Sequence, residues 1–420
     1  MPNDPFDRIE DQRNDIAGEW RAKFQKGAKG KPIKNLHNVL IVLAEDPYLS
    51  HCFGFDEMLQ AQMLMQAMPG MPEGSGRLMD NDYLHVQRYI QRFEFPMIGL
   101  ELVRNAVDFQ CKENAYHPVL TYLEGLTWDG RARFHRFWRD YFGAIEQPED
   151  YLNQIAICFL VAMVARIYEP GCKADYMVVL EGKQGIGKSQ ACRILGGEWF
   201  GDSMPTLDGR NEKDVSAYLT GKWLVEDSEL GSHNRGEINR LKAFLSRQEE
   251  DYRRPYARLP AFEPRSCVLI GTTNEDQYLR DTTGGRRFWP IKCAALDLAA
   301  LQRDRDQLFA EAVFRYKEKT QWWPAFNDII LAEQEARYEE DFWEDIIREK
   351  SDGLTIATRT DLCDWLGLTN VHLAGPTNKR ITTIMKRLGW VQKRSKTSRY
   401  WQRAAETAPD QLNLADLDGL

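Results

Sequence analysis

The sequence predicts an α/β fold in which a parallel β-sheet is preceded by a helical domain and followed by a winged helix. In the middle of the chain, apolar runs alternate with helical stretches, and each run ends in Gly, Asn or an acid: YMVVLEG, KWLVED and RSCVLIGTTN. Short apolar strands that alternate with helices are typical of a parallel sheet covered on both faces. Before residue 169 the apolar spacing is mainly helical, and after residue 350 two helices precede two short strands around a basic turn.

These changes of pattern divide the chain into five segments. Residues 1–34 alternate in charge and lack an apolar stripe, which predicts a flexible N-terminal arm. The segments that follow are a helical N-terminal or collar domain (35–168), the sheet domain (169–350), the winged helix (351–403) and an acidic tail (404–420) that we expect to be disordered. Helices are predicted near 56–67, 82–93, 100–113, 131–142, 151–168, 188–196, 212–219, 235–248, 298–319 and 327–350.

The composition is that of a globular protein, with 43% hydrophobic and 28% charged residues in 420. At about 150 residues per domain, this length suggests two or three domains. The net charge of −8 argues against a simple nucleic-acid coat protein. It does not exclude a nucleic-acid enzyme, because such enzymes often confine positive charge to one groove.

The expected compartment is the cytoplasm. No uninterrupted run of about 18 apolar residues is present, so we expect no membrane span, and the acidic start MPNDPFDRIEDQ is unlike a secretory signal. Eight cysteines lie far apart without a Cys-x-x-Cys pair. This spacing is typical of buried thiols in a reducing compartment and not of a disulfide or zinc framework.

A phosphate-binding loop is the strongest motif. Residues 182–189, GKQGIGKS, fit G-x-x-x-x-G-K-[ST] directly after an apolar strand and before a helix. Glycines let backbone N–H groups curl around a phosphate, Lys188 would reach the β- and γ-phosphates, and the Ser189 hydroxyl would bind Mg²⁺. The alternative, a glycine-rich surface turn, does not explain the flanking strand and helix. The candidate nucleotide-binding residues are Gly182, Lys183, Gln184, Gly185, Ile186, Gly187, Lys188, Ser189 and Gln190.

The next strand supplies acids for a metal ion. A phosphate-loop NTPase needs an acid at the end of a neighbouring strand, and the run at 223–229 offers Glu226, Asp227 and Glu229. Because side chains alternate along a strand, Glu226 and Asp227 cannot both face the metal. We favour Glu229 and Glu226 and place Asp227 third. The alternative for any one of them is a solvated strand end.

A third strand ends in Asn274, at the place where ring-forming ATPases use an amide to orient the water near the γ-phosphate. An ordinary loop asparagine is the alternative, since Asn is common in turns. About ten residues later, GGRRFW contains Arg286 and Arg287. Arginine can stabilise a transferring phosphate, often across a subunit boundary, so the pair are candidates for an arginine finger and a sensor. A salt bridge to acidic helices is the alternative.

A basic and aromatic stretch lies between the acidic strand and the Asn274 strand. It could form a hairpin that grips a nucleic-acid backbone in a central channel, or it could equally make an intersubunit contact. Its candidate DNA-binding residues are Arg253, Arg254, Tyr256 and Arg258.

Several segments resemble the virulence-associated protein E family, which is found largely in prophages and mobile elements: 115–134, 169–189, 197–204, 221–230, 241–258, 271–274 and 279–291. The resemblance covers roughly 75–402. It implies an AAA+-like P-loop ATPase core similar to superfamily 3 helicases and poxvirus-type primase-helicases, which usually work as hexameric rings. It implies nucleotide and Mg²⁺ roles for Lys188 and Ser189. It implies that Glu226 and Glu229 are the two acids of the second strand and that Asn274 is the sensor. It also implies that Arg286 and Arg287 are the paired arginines.

The C-terminal module is strongly basic. From residue 376 to 403 there are nine basic residues and no acid. A winged helix commonly lays one helix in the major groove while its wing contacts phosphates. Packing or subunit contact is the alternative use. The candidate DNA-binding residues are Lys379, Arg380, Lys386 and Arg387 on the second helix and Lys393, Arg394 and Lys396 on the wing.

Together these features predict a ring-forming, DNA-stimulated ATPase and helicase of a phage or mobile element, which hydrolyses ATP with Mg²⁺ to translocate on DNA and unwind it. The expected partners are single-stranded or forked DNA, further copies of the chain in a hexamer, and a separate primase or other replication proteins. Two alternatives stay open. One is a nucleotide-controlled origin-binding or regulatory switch, and the other is an anti-phage defence ATPase without processive helicase activity.

Overall fold

The computed structural model describes residues 6, 19–68, 71, 76–202, 204–207, 212–228, 230–252, 261–279, 287–323, 328–337, 342–369, 376–394 and 399–403. They fall into two compact units. The first comprises Met1–Asp276 with Arg286–Leu331, and the second comprises Gln277–Gly285 with Ala332–Leu420. All eight cysteines are free thiols, and all except Cys172 are buried.

The N-terminal part of the first unit has its own hydrophobic core. Helices α1 (Leu36–Glu45), α2 (Asp80–Phe93) and α3 (Leu100–Glu113) accompany a four-stranded sheet of order β3-β2-β1-β4. Its strands are β1 (Phe53–Asp56), β2 (Ala61–Leu64), β3 (Gly76–Arg77) and β4 (Ala115–Tyr116).

The helix predicted over 56–67 is wrong, because this segment belongs to the β1–β2 hairpin. Strands β1 and β2 pair in antiparallel register, with Asp56 opposite Ala61. The Asp56 carboxylate accepts the backbone N–H groups of Met58 and Leu59 at 2.8 Å each. An aspartate that bonds the backbone two and three residues ahead stabilises a turn, which competes with the helical apolar spacing.

Residues 19–34 differ from the flexible arm expected for 1–34. Trp20 and Phe24 are buried in the core of the N-terminal part. Arg21 donates to the Glu94 carboxylate, with an Nη2–Oε1 distance of 2.6 Å. Two buried aromatic side chains and an ion pair hold this segment, although its sequence has no continuous apolar stripe.

The second core of this unit surrounds a five-stranded, fully parallel sheet, which confirms the predicted parallel α/β architecture. Its order is β11-β5-β10-β7-β6. The strands are β5 (Met177–Glu181), β6 (Phe200–Gly201), β7 (Leu224–Asp227), β10 (Val268–Thr273) and β11 (Phe288–Lys292). A separate antiparallel pair is formed by β8 (Glu249–Tyr252) and β9 (Ala261–Pro264).

Strand β11 lies at an edge of the sheet, and the sequence did not predict it. Pro290 has no N–H group, so it suits an edge strand. The side chain of Gln147 completes the edge by donating to the Pro290 carbonyl at 2.9 Å and accepting the Lys292 N–H at 2.7 Å. Tyr151 also donates to the Pro290 carbonyl.

The helices of this part are α4 (Pro118–Glu124), α5 (Phe137–Phe142), α6 (Glu149–Tyr168), α7 (Lys188–Gly196), α8 (Glu212–Leu219), α9 (Arg235–Leu245) and α10 (Leu298–Lys317). By length and composition α6 could cross a membrane, but 78% of its apolar stretch is buried inside the protein. A helix that is apolar on all sides is typical of a protein core. Accordingly, α6 packs against α10 in the core that contains the sheet.

After α11 (Asp328–Glu335), the second unit contains α12 (Phe342–Lys350), α13 (Arg359–Leu366) and α14 (Pro376–Arg387). An antiparallel sheet of order β12-β14-β13 is formed by Ile356–Thr358, Arg399–Arg403 and Trp390–Arg394, respectively. Trp390 and Trp401 are buried in the core of this unit with Ile347 of α12.

Candidate nucleotide site

The glycine-rich loop connects the carboxyl end of β5 to the start of α7, as the motif requires. Gly182, Gly185 and Gly187 have φ values of 146°, 82° and 100°, a region that glycine adopts without a steric cost. At Gly182 an added Cβ would lie 2.7 Å from the Cys293 carbonyl oxygen, so space as well as backbone angle requires glycine there. Lys183 and Gln184, at the tip of the loop, are exposed, as are Ser189 and Gln190 in the first turn of α7.

The structure brings Lys188 and Asn274 together. The Lys188 ammonium donates to the Asn274 Oδ1 at 2.9 Å and to the carbonyls of Gly182 and Lys183 at 2.6 and 3.0 Å. Burial lowers the pKa of Lys188, while Cys293 and Glu226 nearby act in the opposite direction. The strand order explains the contact, because β10 lies beside β5 in parallel and the carboxyl ends of the two strands are therefore adjacent.

Glu226 faces the loop as well. Its Oε1 accepts the Ser189 hydroxyl at 2.6 Å and the Thr272 hydroxyl at 2.8 Å. Glu226 is 1% exposed. Hydroxyl and carboxylate oxygens are the ligands that Mg²⁺ takes in proteins, usually beside phosphate oxygens and water, so Ser189 and Glu226 fit this ion.

Asp227 points elsewhere, as the alternation along β7 predicted. Its carboxylate oxygens lie 3.0 and 3.1 Å from Nε2 of His233, just before α9. The hydrogen bond to Asp227 raises the pKa of His233, although burial opposes it. Asp227 is therefore engaged by His233 and not by Ser189, which removes it from the acids that face the loop.

Arg287 lies at the amino ends of the parallel strands, whereas the loop of its own chain lies at their carboxyl ends. Arg287 directly precedes β11, in which Phe288 pairs with Met177 and Lys292 with Glu181 of β5. The five residues of β5 span about 13 Å, and the loop begins at the far end. The Arg287 guanidinium donates to the Ser246 hydroxyl at 3.0 and 3.2 Å.

The antiparallel strands β8 and β9 flank residues 253–260. Their base is anchored by a buried ion pair, because the Arg265 guanidinium contacts the Glu250 carboxylate and donates to the Phe244 carbonyl. Ser216 donates to the other Glu250 oxygen at 2.6 Å. Several predicted site residues lie outside the described residues: Glu229, Arg253, Arg254, Tyr256, Arg258, Arg286 and Lys396. The position of the Lys379 side chain is likewise not described.

The basic residues of the second unit divide into two groups. Lys386 on α14 and Lys393 and Arg394 on β13 are exposed. Arg380 instead stacks on Trp343 at 3.9 Å, and Arg387 lies 3.5 Å from the Glu344 carboxylate. The sequence did not reveal these partners, because both are on α12, more than 30 residues earlier in the chain.

Sequence reasoning also missed Thr272. A signal was present, because Thr272 and Asn274 are two residues apart in GTTN and would share a face of an extended strand. His233 carried no comparable signal, since only the turn after β7 places it beside Asp227.

Residues 123–341 match the family model of the virulence-associated protein E-like domain. No curated protein matches the chain. Among solved structures, the apo structure of the NrS-1 C-terminal region (305–718) is 14% identical, with a TM-score of 0.46 over 84% of this chain and 95% of that chain. The A form of the same region is 12% identical, with a TM-score of 0.46 over 84% and 96%. The matched family region contains the loop, Glu226, Asn274 and Arg287.

Proposed function

Because the chain belongs to the virulence-associated protein E-like domain family, we propose that it is an ATP hydrolase and DNA helicase that serves the replication of a phage or mobile element. The observation that carries the proposal is the convergence of four side chains at the carboxyl ends of the parallel strands: Lys188, Ser189, Glu226 and Asn274. The AAA+-like core is proposed on the same basis.

In the proposed reaction, water attacks the γ-phosphate of ATP and ADP leaves. Lys188 binds the β- and γ-phosphates after exchanging its bonds to the loop carbonyls for phosphate oxygens. Ser189 and Glu226 hold Mg²⁺, which neutralises charge on the phosphate oxygens when bound. Asn274 orients the attacking water, and the Glu229 carboxylate accepts its proton as a general base, so that inorganic phosphate and ADP are the products. The rate gain comes from positioning and charge stabilisation.

A ring is proposed because Arg287 and the loop of its own chain lie at opposite ends of the parallel strands. An arginine in that position serves a phosphate only in a neighbouring copy, which requires a head-to-tail arrangement of subunits. Six copies are proposed, as in the helicases that the family resembles. Arg286 is included with Arg287 as a candidate for this finger.

Two elements are proposed to bind DNA, either single-stranded or forked. One is the segment 253–260 between β8 and β9, which contains Arg253, Arg254, Tyr256 and Arg258. The other is the second unit, whose helices and antiparallel strands fit a winged helix with exposed Lys386, Lys393 and Arg394. A separate primase or other replication proteins are proposed as partners.

The test is phosphate release from Mg·ATP by the full chain, with and without single-stranded DNA, alongside the mass from light scattering. We expect turnover that DNA stimulates in a ring-sized particle. Lys188→Ala should abolish turnover, and Lys112→Ala, which changes an exposed lysine of α3, should not. Tight nucleotide binding without turnover, in a monomer or dimer indifferent to DNA, would contradict the proposal and favour the regulatory switch.

A further inference from the structure

Thr272, on strand β10, contacts Glu226, the acid of the candidate nucleotide site. Its hydroxyl donates to Oε1 of Glu226 at 2.8 Å, the same oxygen that the Ser189 hydroxyl reaches at 2.6 Å. Thr272 is 5% exposed and Glu226 is 1% exposed. The three side chains therefore form a small hydrogen-bonded group centred on one carboxylate oxygen.

The register of the sheet explains this contact. Strands β7 and β10 are parallel neighbours, with Ile270 opposite Glu226. Thr272 is two residues beyond Ile270 on β10, so it lies on the same face and nearer the carboxyl end. Thr273 lies on the other face, where its hydroxyl oxygen accepts the Glu275 N–H at 3.1 Å. The two adjacent threonines thus have different partners.

The partners of Glu226 differ in what a bound metal would require of them. Ser189 is exposed to the nucleotide side and would itself be a ligand of the ion. Thr272 is buried and donates to Glu226 from the neighbouring strand, so its hydroxyl would still donate to the carboxylate if Ser189 turned to the ion. Partners of this kind fix the orientation of a metal-binding carboxylate. Removing one commonly lowers metal affinity by about 10- to 100-fold.

We propose that Thr272 is a positioning residue that orients the Glu226 carboxylate toward the divalent cation. This inference rests on the proposed ATPase function and adds to it a residue that acts on the metal only through Glu226. It also explains the use of threonine in a buried strand position, where a hydroxyl without a partner would be costly.

The test compares the Mg²⁺ dependence of the full chain with that of Thr272→Val, Thr272→Ser and Thr273→Val. Valine matches threonine in shape but has no hydroxyl, and serine restores the donor. Two quantities are measured: the Mg²⁺ concentration at half-maximal ATP turnover, and the affinity for a fluorescent ADP with Mg²⁺ and with EDTA. The second readout does not depend on hydrolysis.

We expect Thr272→Val to raise the half-maximal Mg²⁺ concentration about tenfold or more. In this variant, Mg²⁺ should raise the affinity for ADP less than it does in the wild type, while the affinity in EDTA stays unchanged. Thr272→Ser should restore both quantities toward the wild-type values. Thr273→Val, the matched loss of a hydroxyl on the opposite face, should leave the Mg²⁺ dependence unchanged.

A Thr272→Val protein with the Mg²⁺ dependence of the wild type would overturn the inference. If valine prevents folding, Thr272→Ala replaces it in the comparison with serine, and equal Mg²⁺ dependence of those two variants overturns the inference as well. A wild-type protein that binds no nucleotide would instead contradict the proposed function itself, so the two failures are distinguishable.

Discussion

Lys188 illustrates how the site is built at the scale of single residues. Its ammonium bonds two loop carbonyls and the Asn274 amide, so the groups that a phosphate would engage already satisfy one another. Charge-assisted hydrogen bonds of this kind hold a buried cation in place. A nucleotide must therefore exchange these bonds for its own, and the geometry of the loop decides whether it can.

The first prediction at this scale concerns the loop glycines. Gly182→Ala should remove nucleotide binding and lower the free energy of unfolding, because the added Cβ meets the Cys293 carbonyl oxygen at 2.7 Å in a backbone conformation with φ 146°. Strain of this kind costs about 1–3 kcal/mol before the clash is counted. The measurements are fluorescent-ADP affinity and denaturant unfolding.

Gly185→Ala is the matched control. Gly185 also has a positive φ, but no atom lies within 4 Å of an added Cβ, and the motif accepts any residue there. It should lose less nucleotide affinity and less stability than Gly182→Ala, because it adds strain without a clash. Equal effects of the two variants would show that crowding at Cys293 does not shape the loop.

At this scale, part of the arrangement of the candidate site could be predicted from the sequence. Strand alternation separated Glu226 from Asp227, and the motif predicted that Lys188 and Ser189 begin the helix after the glycine-rich loop. The sequence could not predict contacts between residues that are distant along the chain. The Arg287–Ser246 hydrogen bond joins residues 41 positions apart, and nothing in the local sequence marks either as the partner of the other.

At the scale of elements, helix α4 depends on a histidine cap. The His117 Nδ1 accepts the Leu120 N–H at 3.1 Å, and Pro118 begins the helix. Burial lowers the pKa of His117, although Glu57 and Asp56 act in the opposite direction. A protonated ring has no acceptor nitrogen, so the folded state favours the neutral form, which caps the helix.

Since the folded pKa of His117 is lowered, its contribution to stability is present above the unfolded pKa of about 6.5 and is lost as the pH falls. Between pH 7.5 and 5.5, the Tm of the wild type should fall further than that of His117→Asn, which keeps an N-cap acceptor that does not titrate. Thermal unfolding at the two pH values measures this, and parallel losses would contradict it.

The strands were predictable where local sequence determined them. Apolar runs gave β5, β7 and β10, and all three lie in the parallel sheet. The β1–β2 hairpin was missed because its apolar spacing fits a helix and the Asp56 turn determines the outcome. Strand β11 was missed because Pro290 argues against a strand, and only Gln147, distant in sequence, completes that edge.

At the scale of the whole molecule, the proposed function requires each ATP site to be shared between two copies of the chain. This requirement follows from the parallel pairing of β11 with β5, which puts Arg287 and the loop at opposite ends of the strands. No feature of the local sequence predicts this separation, because it depends on the order and direction of strands. If the site is shared, hydrolysis requires assembly of the subunits.

A shared site can be tested directly by ATP turnover in a mixture of two inactive variants. One is Lys188→Ala, and the other is the double variant Arg286→Ala with Arg287→Ala. Each should be inactive alone, while an equimolar mixture should recover about a quarter of the wild-type rate, because half of the loops are intact and half of their neighbours carry the arginines. A mixture that stays inactive, although both variants assemble with the wild type, would contradict a shared site.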